Sequence, residues 1–470
     1  MRLLSALDAL FLQLETLDTP MHVGSLMLLA RPKARKPRDA YSAIRAHLAA
    51  RIHLAPVFWH KLAPMPAGLA SPAWIQAEPD LDYHVRRVTL PSPGSRAQLE
   101  DTVAHLHEGI LDRSRPLWMI TVIEGLESGE IGYYSKVHHA ALDGQGGIAV
   151  AQAILDTEAT PRKVTAPERE AARLAPTTAR LLGSALRHTV ARYGAMVKGV
   201  PELARTAARG GAVALSSTDL RRPGVALGPR TRLNAPIGYG RRFATVRIPL
   251  AEAKAIARHY EGKLNDAVLA ICAGALRREF ARDREALAKA MIAAVPVSLR
   301  APGDTNPANQ VSMMRVAIAT QLADPARRMR AIIAESAKAK MLAGSMKSAL
   351  PIDLPSLGIP WLMAAVTPLY KRVVASERAP VLANLAISNV PGPQVPLYLA
   401  GMELTAYYPV SIVTHGLGLN VTIVSYAGSL DFGLVSAKSA LPNLARFARR
   451  IEEAHRELLR TTTGARRRSA

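Results

Sequence analysis

Two adjacent histidines, His138 and His139, stand at the chemical centre of this sequence, followed by Asp143 and by Gly144, Gly146 and Gly147. An imidazole, with an unperturbed pKa of about 6.5, takes a proton from an alcohol or thiol at neutral pH more readily than serine, lysine or an ordinary carboxylate does. Adjacent residues at a strand end point to opposite faces, so one ring can face a given cavity while the other packs or hydrogen-bonds elsewhere. One of the two is a candidate base. Asp143 has a different role, since its carboxylate can fix the loop that presents the imidazole, either by capping the next helix or by pairing with a distant arginine. The glycines let a substrate or a second backbone come close.

The elements that must hold this cluster follow from the flanking pattern. Residues Ile131 to Val137 are rich in β-branched and aromatic side chains and read as a buried strand. Beyond Asp143, apolar residues at Ile148, Ala151, Ile154 and Leu155 have helical spacing. Pro116-Leu117-Trp118 opens the preceding strand, Leu117 to Ile123, and a turn at Ser128-Gly129 makes the two a hairpin. Upstream the pattern gives a helix with Leu7, Leu10, Phe11 and Leu14 on one face and a buried strand from Met21 to Ala30. A helix through Tyr41, Ile44, Leu48 and Ile52 and a strand from Asp80 to Leu90 come next. Ser95 then caps a helix that turns Leu99, Val103, Leu106 and Ile110 inward and leaves His105 and His107 on the surface.

The second half repeats this plan. Strands are expected at Arg241–Leu250, Met291–Leu299, Val311–Ala319, Leu385–Ser388, Glu403–Val413, Leu417–Tyr426 and Ser429–Val435. Helices are expected at Ala251–Tyr260, Asn265–Phe280, Pro325–Leu342 and Leu441–Leu459. Both halves thus offer strands followed by helices, one histidine cluster serves the pair, and a cleft between them is implied.

Composition bounds the answer. A chain of 470 residues, 49% hydrophobic and 21% charged, folds and buries a large core, and we read it as two domains. A single cysteine, Cys272 in an apolar helical stretch, rules out an intrachain disulfide and a cysteine metal cluster and points to a reducing cytoplasm. The N-terminal stretch carries Asp8 and reads as a helix, not a secretory signal. The apolar run Leu354 to Tyr370 is interrupted by prolines and is shorter than the ~20 residues that span a bilayer, so no transmembrane helix is expected. That run serves either core packing or an interfacial contact. The net charge of +23 draws the protein to anionic surfaces. Aromatic content of 5% and the lack of zinc-finger spacing disfavour nucleic acid and leave lipid headgroups or acidic cofactors. Residues 161–232 hold 14 Lys/Arg against 4 Asp/Glu, a difference of +10, as either a solvated crossover or a membrane-facing basic helix.

His138-His139-Ala140-Ala141-Leu142-Asp143-Gly144 matches the pattern HHxxxDG and resembles the superfamily of CoA-dependent acyltransferases that includes chloramphenicol acetyltransferase and peptide-synthetase condensation domains. Further segments narrow the likeness: Leu7-Asp8-Ala9-Leu10-Phe11 with Met21-His22-Val23-Gly24, Pro116-Leu117-Trp118, Asn265-Asp266, Pro296-Val297-Ser298-Leu299-Arg300 and Asn389-Val390-Pro391-Gly392-Pro393. Together they are similar to the bacterial wax ester synthase/diacylglycerol acyltransferase family over nearly the whole chain. One departure is Ala308-Asn309, where members often show Gly-Asn.

The resemblance implies an α+β fold of two chloramphenicol-acetyltransferase-like domains, mixed sheets flanked by helices, with the active site in the cleft between them. Residues 1–160 would form the domain bearing the motif, 161–235 a basic crossover, 236–460 the second domain and 461–470 a disordered tail. It implies transfer of a fatty acyl group from acyl-CoA, as co-substrate, to diacylglycerol or a long-chain alcohol, with no metal and no permanently bound cofactor. His139 would be the base, His138 its supporting neighbour and Asp143 a positioning residue with Arg300 as salt-bridge partner. Asn265 would be an oxyanion donor or a plain helix cap. Gly144, Gly146, Pro116, Leu117, Trp118, Asn389, Pro391 and Gly392 would bind substrate or shape the cleft. The expected place is the cytoplasm, at an inner-membrane or lipid-droplet surface. Two alternatives stay open: condensation-like transfer from a carrier protein, and a catalytically silent lipid-surface protein.

Overall fold

Strand and helix alternate along the chain broadly as the patterning implies. The structure is a computed structural model that describes residues 2–4, 6–30, 39–63, 72–142, 146–165, 183, 227–298, 311–349 and 380–464. The first half runs β1 (Arg2–Leu3), α1 (Ala6–Leu14), β2 (His22–Leu29), α2 (Ala40–Ala49), α3 (Pro56–Trp59), β3 (His60–Ala63), β4 (Ala73–Gln76), α4 (Leu81–His84), β5 (Val85–Thr89), α5 (Arg96–Glu108), β6 (Trp118–Glu124), β7 (Ile131–His138) and α6 (Gly146–Ile154). The second runs β8 (Arg241–Pro249), α7 (Leu250–His259), α8 (Leu264–Glu279), β9 (Ile292–Ser298), β10 (Val311–Ala317), α9 (Pro325–Ala349), β11 (Leu385–Pro391), β12 (Tyr398–Leu399), β13 (Met402–Val410), β14 (Leu419–Tyr426), β15 (Ser429–Ala437) and α10 (Leu444–Gly464).

Two six-stranded mixed sheets form the frame, one ordered β12-β13-β2-β7-β6-β5 and the other β10-β9-β11-β14-β15-β8, with a small β1-β4-β3 sheet beside them. The period-two rule decides which side of β7 does what. Tyr134 joins the large core that includes Leu99 and Val103 of α5, whereas Tyr133 and Val137 join a second core with Ile44 and Leu48 of α2 and Ile154 of α6. The motif strand is therefore covered on both faces.

The first sheet takes β12 and β13 from the C-terminal part of the chain, and this exchange locks the halves together. Gly433 of β15 lets that strand lie against β13, since a Cβ there would sit 1.6 Å from the Pro409 carbonyl oxygen. Asp431, fully buried, accepts from the Arg247 guanidinium at 2.8 Å and from the Tyr407 amide at 2.8 Å. In the second half α8 is buried nearly all round, and its last residue, Glu279, gathers Arg232, Arg446 and Arg450.

Several expectations are corrected. The first helix buries Asp8, Ala9 and Leu12 most deeply, and of the face read on it Phe11 packs against the same small core while Leu10 and Leu14 are partly exposed. Asp80 does not begin a strand; its carboxylate takes the amides of Asp82 and Tyr83, caps the short helix α4, and the strand starts only at Val85. Ile110 lies past the end of α5 and is 46% exposed, because the helix stops at Glu108. His107 is buried, not superficial. Most of the basic connector and Leu354 to Tyr370 lie outside the described residues, within which no helix is long and apolar enough to cross a membrane.

Candidate active site

Strand β7 ends at His138 and the chain turns at once into a 3₁₀ turn, His139–Ala141. Both histidine amides are held from outside the turn. The His138 N–H donates to the Leu117 carbonyl at 2.9 Å, and the His139 N–H donates to the Met21 carbonyl at 2.8 Å. The Pro116-Leu117-Trp118 segment thus works as a clamp. Pro116 bridges Lys61, Leu117 is fully buried, and the Trp118 indole N–H reaches the Phe58 carbonyl at 2.9 Å.

The two rings part company as the strand geometry requires. His138 is fully buried; its Nδ1 accepts the Ala140 N–H at 3.1 Å, and its Nε2 lies 3.3 Å from the Glu15 carboxylate. His139 is only partly exposed and stacks on Phe11, with ring centroids 4.0 Å apart and 19° between planes. Its Nδ1 is the ring nitrogen that is buried without a hydrogen-bond partner among the described residues. Burial pushes this imidazole down to about 4, with His138 adding to the drop and the residue's own carbonyl opposing it. His139 is therefore neutral at pH 7 and able to accept a proton.

Beneath His138, on the α5 side of the sheet, lies a buried polar array. His22 pairs with His138 in register and donates from Nε2 to the His107 carbonyl at 2.5 Å. His107 Nδ1 accepts from the Tyr134 hydroxyl at 2.8 Å, and its Nε2 donates to the Ser411 carbonyl at 3.2 Å, a contact between the halves. Burial lowers His107 to about 3, helped by Lys136, and holds His22 far below its ordinary value. Lys136 reaches the Leu106 and Gly109 carbonyls, both at 2.7 Å, at the C-terminal end of α5. Burial brings its ammonium down to about 8 against the pull of Glu15.

The helix that follows the motif is fixed from its far end. His47 donates to the Ile154 carbonyl at 2.7 Å, and the Arg162 guanidinium reaches Leu155 at 3.2 Å and Ala153 at 3.0 Å. Arg51, itself bonded to His47, forms a buried pair with Asp156 at 3.2 Å. None of these partners carries a local sequence signature; the nearest is Lys136, a charged residue at an inward position of an otherwise apolar strand.

The other expected residues are distributed unevenly. Gly146 starts α6, while Asp143, Gly144 and Arg300 lie outside the described residues. Asn265 is the second residue of α8 and half-buried; the helix-end hydrogen bond is made by Asp266, whose carboxylate takes the Lys263 N–H at 2.8 Å, so the plain-cap reading of Asn265 does not hold. Asn389 and Pro391 end β11, paired with Ile423 and Ser425 of β14, and the Gly392 N–H donates to the Ser425 hydroxyl at 3.1 Å. A cavity of 310 Å³ lined by Leu26, Leu28 and Arg96 of one half and Thr245 of the other lies between the halves, and its lining does not include His139.

Comparison with known proteins bears on the same residues. Residues 4–268 match the model of the wax ester synthase/diacylglycerol acyltransferase catalytic domain, and residues 308–459 that of the C-terminal domain of the same enzymes. A Mycobacterium tuberculosis protein named, provisionally, as a diacylglycerol O-acyltransferase is 35% identical over 459 residues, covering 97% of this chain and 99% of the relative. The wax ester synthase/diacylglycerol acyltransferase of Marinobacter aquaeolei VT8 superposes with a TM-score of 0.71 at 27% identity, over 98% of this chain and 100% of that one. The starter condensation domain of rhizomide synthetase shares the fold, with a TM-score of 0.54 at 13% identity over 97% of this chain and 94% of that one.

Proposed function

This chain belongs to the wax ester synthase/diacylglycerol acyltransferase family, and we propose that His139 is the base with which it works. The protein is an acyltransferase that moves an acyl group to the hydroxyl of diacylglycerol or of an alcohol, giving an ester. Its donor in this reading is a fatty acyl-CoA, consumed as co-substrate and released as CoA.

The observation that carries the proposal is the setting of one ring. His139 is pinned through its amide to Met21, stacked flat on Phe11, partly exposed and held neutral by its surroundings. With Nδ1 buried, Nε2 is the nitrogen left to meet an acceptor hydroxyl. The hydroxyl proton passes to Nε2 as the oxygen attacks the thioester carbonyl carbon, and a tetrahedral oxyanion forms. The carbon–sulfur bond then breaks and the imidazolium returns the proton to the leaving thiolate, so the histidine ends as it began. Asn265 is the proposed donor to the oxyanion, and Asp143 with Arg300 the pair that braces the loop. A dry site suits both partners, since burial of an acyl chain is favourable by about 0.8 kcal/mol per CH₂ and exclusion of water protects the thioester. The basic charge fits approach to an anionic membrane or lipid-droplet surface.

Purified protein tests the reading in a CoA-release assay that crosses several acyl-CoAs with diacylglycerol and long-chain alcohols, with the ester identified. Ester and CoA in equal amounts are expected. Activity only with a donor bound to a carrier protein would favour condensation-like transfer, and vesicle binding without CoA release would favour a silent lipid-surface protein.

A further inference from the structure

Glu15, just after α1, falls in no motif of the sequence, yet its carboxylate meets the motif from below. Its side chain is 2% exposed. Oε1 lies 3.3 Å from His138 Nε2 and accepts the Met21 N–H at 3.2 Å, while Oε2 accepts from Arg113 Nη2 at 3.0 Å and Nε at 3.3 Å. We propose that Glu15 is a positioning residue for the proposed base His139, acting through His138 and Met21.

The hydrogen-bond pattern fixes the direction of the argument. His138 Nδ1 accepts the Ala140 N–H, so a neutral ring carries its proton on Nε2, the nitrogen that faces Glu15. The Ala140 amide on Nδ1 thereby sets the tautomer, and the Glu15 carboxylate, 3.3 Å from Nε2 though outside hydrogen-bond geometry, sets the charge that this side of the ring faces. The same oxygen holds the amide of Met21, whose carbonyl holds the amide of His139. The clamp closes on both sides of a single residue. Burial alone would raise the Glu15 carboxyl, but His138, the Met21 amide and Arg113 outweigh it and keep the group ionised below its ordinary range. Among the described residues, the charged and titratable groups on the elements packed around the two rings are Asp8 from α1, Glu15 and Arg113 from the loops, His22 from β2, Lys136 from β7 and His107 from α5.

The two oxygens of Glu15 suggest variants that separate geometry from charge. In Glu15→Gln the remaining carbonyl oxygen can keep both Met21 and His138, and the amide NH₂ faces Arg113, whose side chain is 45% exposed and keeps its bond to the Leu12 carbonyl. Geometry survives and the charge goes. In Glu15→Ala both are lost. The inference rests on His139 being the base, so His139→Ala is run alongside.

Ester formation by Glu15→Ala is expected to fall in kcat by about 10²-fold, the cost of a misplacement near 1 Å, with KM for both substrates nearly unchanged. Glu15→Gln is expected to restore kcat to within about tenfold of wild type, and Arg113→Ala to lower kcat less than Glu15→Ala does, since it removes one partner of the carboxylate and leaves Met21 and His138. Loss of the nearby negative charge disfavours the imidazolium, so the acid limb of kcat/KM in Glu15→Gln moves to lower pH, a change that a purely structural residue would not cause. A folded Glu15→Ala with normal kcat, or an unmoved limb in Glu15→Gln, overturns the proposal. If Glu15→Ala does not fold, the limb in Glu15→Gln decides. If His139→Ala retains turnover, it is the base assignment that fails, whatever the Glu15 variants do.

Discussion

Replacing Gly24 by alanine tests how the site is built. Gly24 lies opposite Lys136 in the β2–β7 ladder, two residues from the pair His22 and His138. A Cβ at this position would sit 1.9 Å from the Ser135 carbonyl oxygen, where real Cβ contacts stay above 3.0 Å. The obstacle is backbone in the middle of a sheet, so the strands must part by more than an ångström instead of a side chain turning aside. Parting them weakens two or three ladder hydrogen bonds, each worth about 1 kcal/mol, and adds a packing cost of about 1–3 kcal/mol. Gly24→Ala is therefore expected to lose about 3–6 kcal/mol of stability. The damage is local to the residues that present His138 and, through Met21, His139, so turnover should fall in molecules that remain folded. Urea denaturation followed by far-UV circular dichroism gives the first number, and CoA release without urea, at a temperature well below the thermal midpoint, gives the second. A variant with the wild-type midpoint and wild-type turnover would refute the close approach and the positional role drawn from it.

Three further outcomes follow from the same structure. Asp431→Ala leaves the Tyr407 N–H without its acceptor and frees a half-exposed Arg247 to water; about 1–3 kcal/mol should be lost in urea titration, and no loss would mean that the inter-sheet contact is dispensable. Arg51→Ala strips the buried Asp156 of its nearest cation and leaves Arg162 at 3.7 Å, so the cost should be about 3 kcal/mol, read as a lower urea midpoint and contradicted by an unchanged one. His22 and His107 have folded pKa values below the unfolded one, so the unfolded chain takes up protons first. The stability they support is complete above pH ~6.5 and declines below it, by about 1.4 kcal/mol per pH unit for each histidine, down to about 3 for His107. Thermal midpoints at pH 7.5 and 5 check this, and equal values would contradict the neutral, buried assignment.

Much of the frame was legible in the sequence, because the patterns that encode it are local. The β-branched and aromatic run from Ile131 to Val137 and the spacing of Val268, Ile271, Cys272, Ala275 and Leu276 give β7 and α8 directly, and all five of those helix residues are fully buried. The opposite orientation of the motif histidines also followed from period two alone. What was not legible depends on partners distant in the chain. His107 looks like a surface residue of α5 until Tyr134 and Ser411, 27 and 304 residues away, are brought to its ring. Asp80 to Leu90 has the composition of a strand, but Asp80 turns its first residues into a capped helical turn. Glu15 follows an ordinary helix and precedes a Thr16–Thr19 turn, and only the fold shows that its carboxylate reaches His138. The family likeness supplied roles for Asp143 and Arg300 that lie outside the described residues.

The most direct test of the central claim compares single-turnover ester formation by wild type, His138→Ala and His139→Ala, each shown to be folded by near-UV circular dichroism. A general base contributes about 10²–10⁴-fold, so His139→Ala should lose at least the lower figure and should show no acid limb, while wild type shows one with a midpoint near 4. A folded His139→Ala that makes ester at close to the wild-type rate, with the same pH dependence, would contradict it.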